Sequence, residues 1–214
     1  MIRLYLVRHG ETEFNLEGRI QGHNDSPLTE LGVLQAKAIA KRLSGFSFDA
    51  IYSSDLGRTI QTANEIASYH DNEIISEPLL REMNHGVLQG LTREDIDIKY
   101  PRHKNPWREN RTMRVPKAEK WEEVIARCEK FLSKVISKHQ DNSHILVVGH
   151  GGSLRGLIIA ACGLPTSFWR VVYFANCGFS VLDIGDMPKI QCLNDTSHLL
   201  NIKISDEEVD MSAR

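Results

Sequence analysis

The 214-residue chain has no apolar run long enough to span a bilayer, no CxxC pair, no internal repeat and no low-complexity segment. A transmembrane helix needs about 20 consecutive apolar residues, so no membrane-spanning helix and no membrane partner are expected. The N-terminus lacks a basic region leading into an apolar stretch and a cleavage site, and residues 2–7 are too short and too β-like for a signal peptide. Only four cysteines occur, Cys128, Cys162, Cys177 and Cys192. They read as reduced, mostly buried thiols of a cytoplasmic protein. An excess of one charge is missing too. A formal net charge of −2 and a pI of about 6.5 argue against a dedicated nucleic-acid binder. His23, His85, His103 and His198 show no metal-ligand spacing such as HxxxH. They read as surface or supporting residues, and neither metal nor cofactor is expected.

What is there is an ordinary globular composition, 41% hydrophobic and 25% charged, in a chain able to bury a sizeable core. Strand-like and helix-like segments alternate. "IRLYLVR" is nearly continuous in apolar residues, as a strand buried on both faces is. A polar loop, "ETEFNLEGRIQGHNDSP", follows. Thr29 reads as the N-cap of a helix through about Leu43. "FDAIYSS" predicts a second strand, and "DLGRTIQTANEIASYH" a helix with the acid Asp55 at its N-terminus. "NEIISEP" reads as a short strand. The region 81–116 is long and polar, with a short helix at "TREDIDIKY", and reads as a lid-like insertion. The most regular helical period runs from Glu119 to about Lys138. "HILVVGHGG" is a second buried-strand signal, leading into a helix near Ser153. "FSVLDI" and "KIQCLN" predict a hairpin around Gly185 to Pro188, and the acidic tail 205–214 is expected to be mobile. The order predicts one domain over 1–214, a three-layer α/β/α sandwich with a mostly parallel central sheet.

Two of the strand signals end alike, in "LYLVRHGE" and "ILVVGHGG". Ligands bind at the carboxyl ends of strands in open α/β sheets. If the two strands are parallel, His9 and His150 therefore share one rim. The glycine after each histidine removes a Cβ, letting backbone approach a ligand and freeing N–H groups to face it. Arg8 adjoins His9, and Arg58 opens the helix after the second strand. Two arginines, two histidines, free amides and a helix N-terminus predict an oxyanion pocket, most plausibly for phosphate.

The segments "LVRHGETEFN", "RIQGHNDSPLTELG", "SSDLGRTIQTA", "LLREMNHGVLQG" and "VVGHGGSLR" together resemble the histidine phosphatase superfamily, the phosphoglycerate mutase-like enzymes. The resemblance extends from Leu4 to about Leu199. It implies a phosphoglycerate mutase-like fold and a double displacement, with His9 as the nucleophile. Arg8, Arg58 and His150 would hold the phosphoryl oxygens, assisted by Asn15 and the amide of Gly151. Gln21 and Gly22 would border the substrate. Glu82 matches the family's general acid, and a partly closed site would raise its pKa for that duty. Two departures fall beside the substrate. "VLQGLT" places Leu88 and Gln89 where many members have Trp–Glu–Gly, and "PKAEKW" keeps only Glu119 of a Gly–Glu–Ser.

The expected activity is metal-independent hydrolysis of a small phosphomonoester through a phosphohistidine. A mutase-type transfer and a non-catalytic phosphate-binding module are the alternatives. A protein-phosphohistidine phosphatase would need an open, shallow site, which the 81–116 segment opposes. From Lys99 to Lys120, eight basic residues face two acids; they either solvate a lid or meet a second anionic group. A homodimer through the apolar C-terminal strands stays open.

Overall fold

A computed structural model of the chain describes residues 1–103, 115–200, 202–204 and 207–208. One sheet comprises β1 (Ile2–Arg8), β2 (Ala50–Ser53), β3 (Ile74–Ser76), β4 (His144–Gly149), β5 (Phe179–Ile184) and β6 (Lys189–Asp195). The order is β3-β2-β4-β1-β5-β6. The first four strands are mutually parallel, while β5 runs antiparallel to β1 and β6 to β5. The mostly parallel sheet and the C-terminal hairpin are therefore as expected. Two short strands, β7 (Lys203–Ile204) and β8 (Glu207–Glu208), pair separately.

The helices are α1 (Glu13–Leu16), α2 (Glu30–Leu43), α3 (Gly57–Ala67), α4 (Arg93–Lys99), α5 (Trp121–Lys138) and α6 (Gly151–Cys162). Alternation along β1 shows how they layer the sheet. Leu4 and Leu6 pack in one cluster with Phe131 of α5 and Leu154 of α6. Tyr5 and Val7 pack in the other, with Ile39 of α2 and Ile66 of α3. Apolar residues on both faces are why β1 and β4 read as unbroken hydrophobic runs.

Local chemistry sets the helix ends. Thr29 Oγ1 accepts from the Gly32 amide at 2.9 Å, capping α2 as expected. α6 starts two residues earlier than the sequence suggests: His150 is its N-cap, and the Ser153 hydroxyl accepts from the His150 amide at 3.0 Å. It ends at Gly163, whose φ of 60° is the left-handed conformation that closes helices. The acid at the start of α3 is not Asp55 but Asp25, brought in from the preceding loop. Asp25 accepts from the Gly57 amide at 2.5 Å, while Asp55 forms a bidentate pair with Arg81 at 2.7 and 2.5 Å. One turn of helix, α1, stands in the segment expected to be loop.

Within 81–116 the described residues carry α4 and two single turns of 3-10 helix, Gly86–Leu88 and Pro101–His103. Residues 104–114 of the basic stretch and most of the acidic tail lie outside the described residues. Among the described residues no helix is long and apolar enough to cross a membrane.

Candidate active site

The sheet register builds the site. In the parallel β1–β4 pair Arg8 lies opposite Gly149, so the next residue on each strand, His9 and His150, leaves the sheet at the same end. The His9 amide donates to the Gly149 carbonyl at 3.0 Å. The two rings stand 5.2 Å apart at 60°, with exposures of 2% and 0%. The shared rim predicted from the sequence is present.

Each ring has a defined tautomer. His9 Nδ1 lies 2.7 Å from the Gly10 carbonyl, which can only accept, so Nδ1 carries the proton and Nε2 the lone pair. His150 is the reverse. Its Nδ1 accepts from Arg58 Nε at 3.2 Å, leaving Nε2 to donate to Ser54 Oγ at 2.9 Å. Burial, with the Arg8 and Arg58 charges beside it, holds the His9 pKa well below the ordinary histidine value. Burial, Arg58, His9 and Arg8 do the same to His150. Both imidazoles are neutral near pH 7.

The arginines differ in what they have left to give. Arg58, fully buried, is spent largely on protein. It donates from Nε to His150, from Nη1 to the Asn24 carbonyl and Asp25, and from Nη2 to the Gly22 carbonyl. One of its five N–H groups is spare. Arg8 donates from Nη1 to the Phe174 carbonyl at 2.8 Å, and its buried Nε has no partner. A buried donor without an acceptor costs about 1–3 kcal/mol, a cost that an incoming anion removes.

Glu82 reaches the site from the loop after β3. Its Oε1 and Oε2 accept from the Gly152 amide at 2.9 and 3.2 Å, and Oε1 also from the Met83 amide at 2.7 Å. Burial acts to raise its pKa. His85, the two amides and Arg58 together outweigh that, and the carboxyl lies below its ordinary value. The expected upward shift is therefore corrected: these amides are paid out to the charged form. The loop is fastened behind. Arg127 donates to the Leu79 and Glu82 carbonyls at 2.6 and 3.1 Å and pairs with Glu119 at 3.1 Å. Glu119 accepts from the Asn84 amide at 2.7 Å, which is the work of the acid kept from the altered tripeptide.

These groups surround a cavity of about 340 Å³, lined among others by Arg8, His9, Asn15, Gln21, Gly22, Arg58 and Glu82. His150 and Gly151 are buried and do not line it; Gly152 does. The glycines also differ from expectation. A Cβ on Gly10 would lie 2.4 Å from the Gly32 carbonyl oxygen, so that glycine admits α2 and not a ligand. Gly151 faces the charged cluster, where a Cβ would stand 3.3 Å from Arg155 Nη1 and 3.9 Å from Arg8 Nε. Gln89, where the family often has glutamate, accepts from the His23 amide at 2.7 Å and so ties the Gly22 turn to its own loop.

Sequence reasoning missed several lining residues: Arg19, His85, Trp121, Arg155 and Trp169. It also missed Asn176, whose Nδ2 donates to the His9 carbonyl at 3.0 Å and to Asn15 Oδ1 at 3.3 Å. With Oδ1 so occupied, Asn15 offers its Nδ2 to the cavity. Arg155 had one signal, its place one turn after "GHGG".

Known proteins resemble this chain in sequence and fold. The model of the histidine phosphatase superfamily (branch 1) matches residues 4–196. A probable phosphoglycerate mutase GpmB of Proteus mirabilis is 36% identical, covering 96% of this chain and 99% of the relative. Among solved structures, Bacillus stearothermophilus YhfR superimposes with a TM-score of 0.86 at 29% identity, over 93% of this chain and 100% of that one. A putative alpha-ribazole-5'-P phosphatase from Escherichia coli gives 0.83 at 30% identity, over 91% and 96%. A mycobacterial glucosyl-3-phosphoglycerate phosphatase gives 0.81 at 30%, over 90% and 98%. By fold, by the matched segments and by near full-length identity, the chain belongs to the histidine phosphatase superfamily, branch 1.

Proposed function

We propose that the chain hydrolyses a small phosphomonoester by passing the phosphoryl group through His9. One observation carries this: His9 Nε2 holds an unshared lone pair, fixed by the Nδ1 bond to Gly10, beside the unpartnered Arg8 Nε. The Nε2 lone pair attacks phosphorus as the bond to the leaving oxygen breaks. Glu82 protonates that oxygen. Water then attacks the phosphohistidine, giving its proton to Glu82, and the P–N bond breaks to release phosphate and free imidazole. Glu82 is ionised in the free protein. A phosphate dianion alongside raises its pKa, so substrate itself prepares the acid.

Arg8, the spare N–H of Arg58 and Asn15 supply donors for the equatorial oxygens, where charge builds during transfer. His150 Nε2 donates to Ser54 Oγ in the free protein and joins them when a phosphate oxygen competes for that proton. These groups support catalysis without a metal ion. The solved phosphatases of this fold support hydrolysis, whereas the mutase-named relatives favour retention of the phosphohistidine for transfer back to substrate. The test is p-nitrophenyl phosphate turnover in EDTA across pH, wild type beside His9→Ala. Turnover that vanishes in the variant is expected. A wild type that does not turn over, yet exchanges label between phosphoglycerates once primed by a bisphosphorylated donor, would establish the mutase instead.

A further inference from the structure

We infer that Arg155 binds a second anionic group of the substrate, on the leaving-group side of the phosphate; the inference rests on the hydrolase reading above. Arg155 projects from the first turns of α6 into the cavity. Its Nε donates to the Val172 carbonyl at 2.6 Å, and neither Nη1 nor Nη2 has an acceptor among the described residues. Arg58 has one spare N–H; Arg155 has four.

The arginine is held, not loose. Val172 and Phe174 are buried at 4% and 1%, with Tyr173 between them 54% exposed. That alternation marks an extended segment with alternate residues on one side. The Val172 carbonyl fixes Arg155 and the Phe174 carbonyl fixes Arg8. Two guanidinium groups are thus fastened to one segment, each with donors left over. They come from different elements: Arg8 adjoins the proposed nucleophile in sequence, while Arg155 stands one turn into α6. Arg155 Nη1, Arg8 Nε and Glu82 Oε2 meet around Gly151, where a Cβ would lie 3.3, 3.9 and 3.9 Å from them. Glu82 is the proposed donor to the leaving oxygen, so Arg155 looks at what that oxygen is attached to. No ion pair joins the two side chains. The stacked indoles of Trp121 and Trp169, with centroids 5.3 Å apart, line the same cavity, and apolar walls strengthen charge recognition. A free planar fork in such a place suits a carboxylate or a second phosphate bound by two parallel hydrogen bonds.

The test compares 2-phosphoglycolate and ethylene glycol bisphosphate with ethyl phosphate, which has no second charge, in wild type, Arg155→Met and Arg155→Lys. Wild type is expected to prefer at least one acidic ester by about ten-fold or more in kcat/KM, mainly through KM. The acidic ester preferred tells carboxylate from phosphate. Methionine should erase the preference and lysine should keep part of it. An unchanged ratio in the methionine variant overturns the inference, because Arg155 would then serve the phosphate or Glu82. If wild type hydrolyses none of the three, the hydrolase reading fails. Calorimetric binding of the same esters to wild type and Arg155→Met still decides the subsite, by whether the preference for the acidic ester is lost.

Discussion

His9 and His150 occupy matched places: each follows an apolar parallel strand, precedes a glycine, and is almost wholly buried beside the other. Yet they hold opposite tautomers. The difference comes from what each Nδ1 meets, a carbonyl oxygen at Gly10 or the guanidinium of Arg58. A carbonyl demands a proton on Nδ1 and bares Nε2; a guanidinium demands a lone pair on Nδ1 and moves the proton to Nε2. One local motif therefore yields a ring with a bare Nε2 lone pair, the proposed nucleophile, at one strand end and a hydrogen-bond donor at the next. The motif does not assign the roles. The second nitrogen's partner does.

The largest test of that asymmetry removes each ring. His9→Ala is expected to lose about 10⁴-fold or more in turnover and all phosphoenzyme. His150→Ala should lose about 10²–10³-fold, the cost of one well-placed donor, and should still be labelled when mixed with a radiolabelled phosphomonoester and quenched in alkali. Labelling that survives in His9→Ala and disappears in His150→Ala would reverse the assignment.

A smaller effect is expected beside His150, at the helix start that faces Glu82. A Cβ on Gly152 would lie 2.1 Å from Glu82 Oε1, so Gly152→Ala must displace the carboxylate. Alkyl phosphates need a protonated leaving oxygen and should slow by about 10²-fold. p-Nitrophenolate leaves largely unaided, so its ester should slow by less than about ten-fold. Equal losses on both would mean that the substitution disturbs the phosphate subsite and not the acid.

Burial of two neutral histidines also has a consequence for stability. Unfolded histidine titrates near 6.5, and both folded values lie well below this. Below about pH 6.5 the unfolded chain takes up protons that the folded one refuses, so stability is full above that pH and falls as pH drops toward the folded values. Each ring adds about 1.4 kcal/mol per pH unit to the slope. Urea unfolding at pH 7 and pH 5.5 should show a shallower pH dependence in His150→Gln than in wild type. Identical slopes would mean that the ring is charged in the fold.

What the sequence disclosed were features with a period or a fixed local grammar. Strand runs, the α5 repeat, the Thr29 cap and the residues placed at strand ends all appear where expected. What stayed hidden depends on irregular segments meeting across the fold. Asp25 and Asp55 are equally plausible partners for a helix start, and only the path of the 20–28 loop decides between them. Arg155 and Asn176 gain meaning from carbonyls 17 and 167 residues away. The direction of the Glu82 shift turns on His85, two backbone amides and Arg58 acting together against burial, and only the fold brings these groups to one carboxyl.

The finest test concerns the proton on His150. In the free protein Ser54 Oγ accepts it at 2.9 Å, and a bound phosphate oxygen would compete for the same proton. Ser54→Ala leaves Nε2–H unsatisfied in a ring with no exposure, a cost of about 1 kcal/mol or more that phosphate binding would remove. Inorganic phosphate should therefore inhibit Ser54→Ala about five-fold more tightly than wild type, an unusual direction for a substitution in a polar site. Weaker inhibition would show that Ser54 acts instead by steering the ring, so that His150 owes its orientation to Ser54 as well as its tautomer to Arg58.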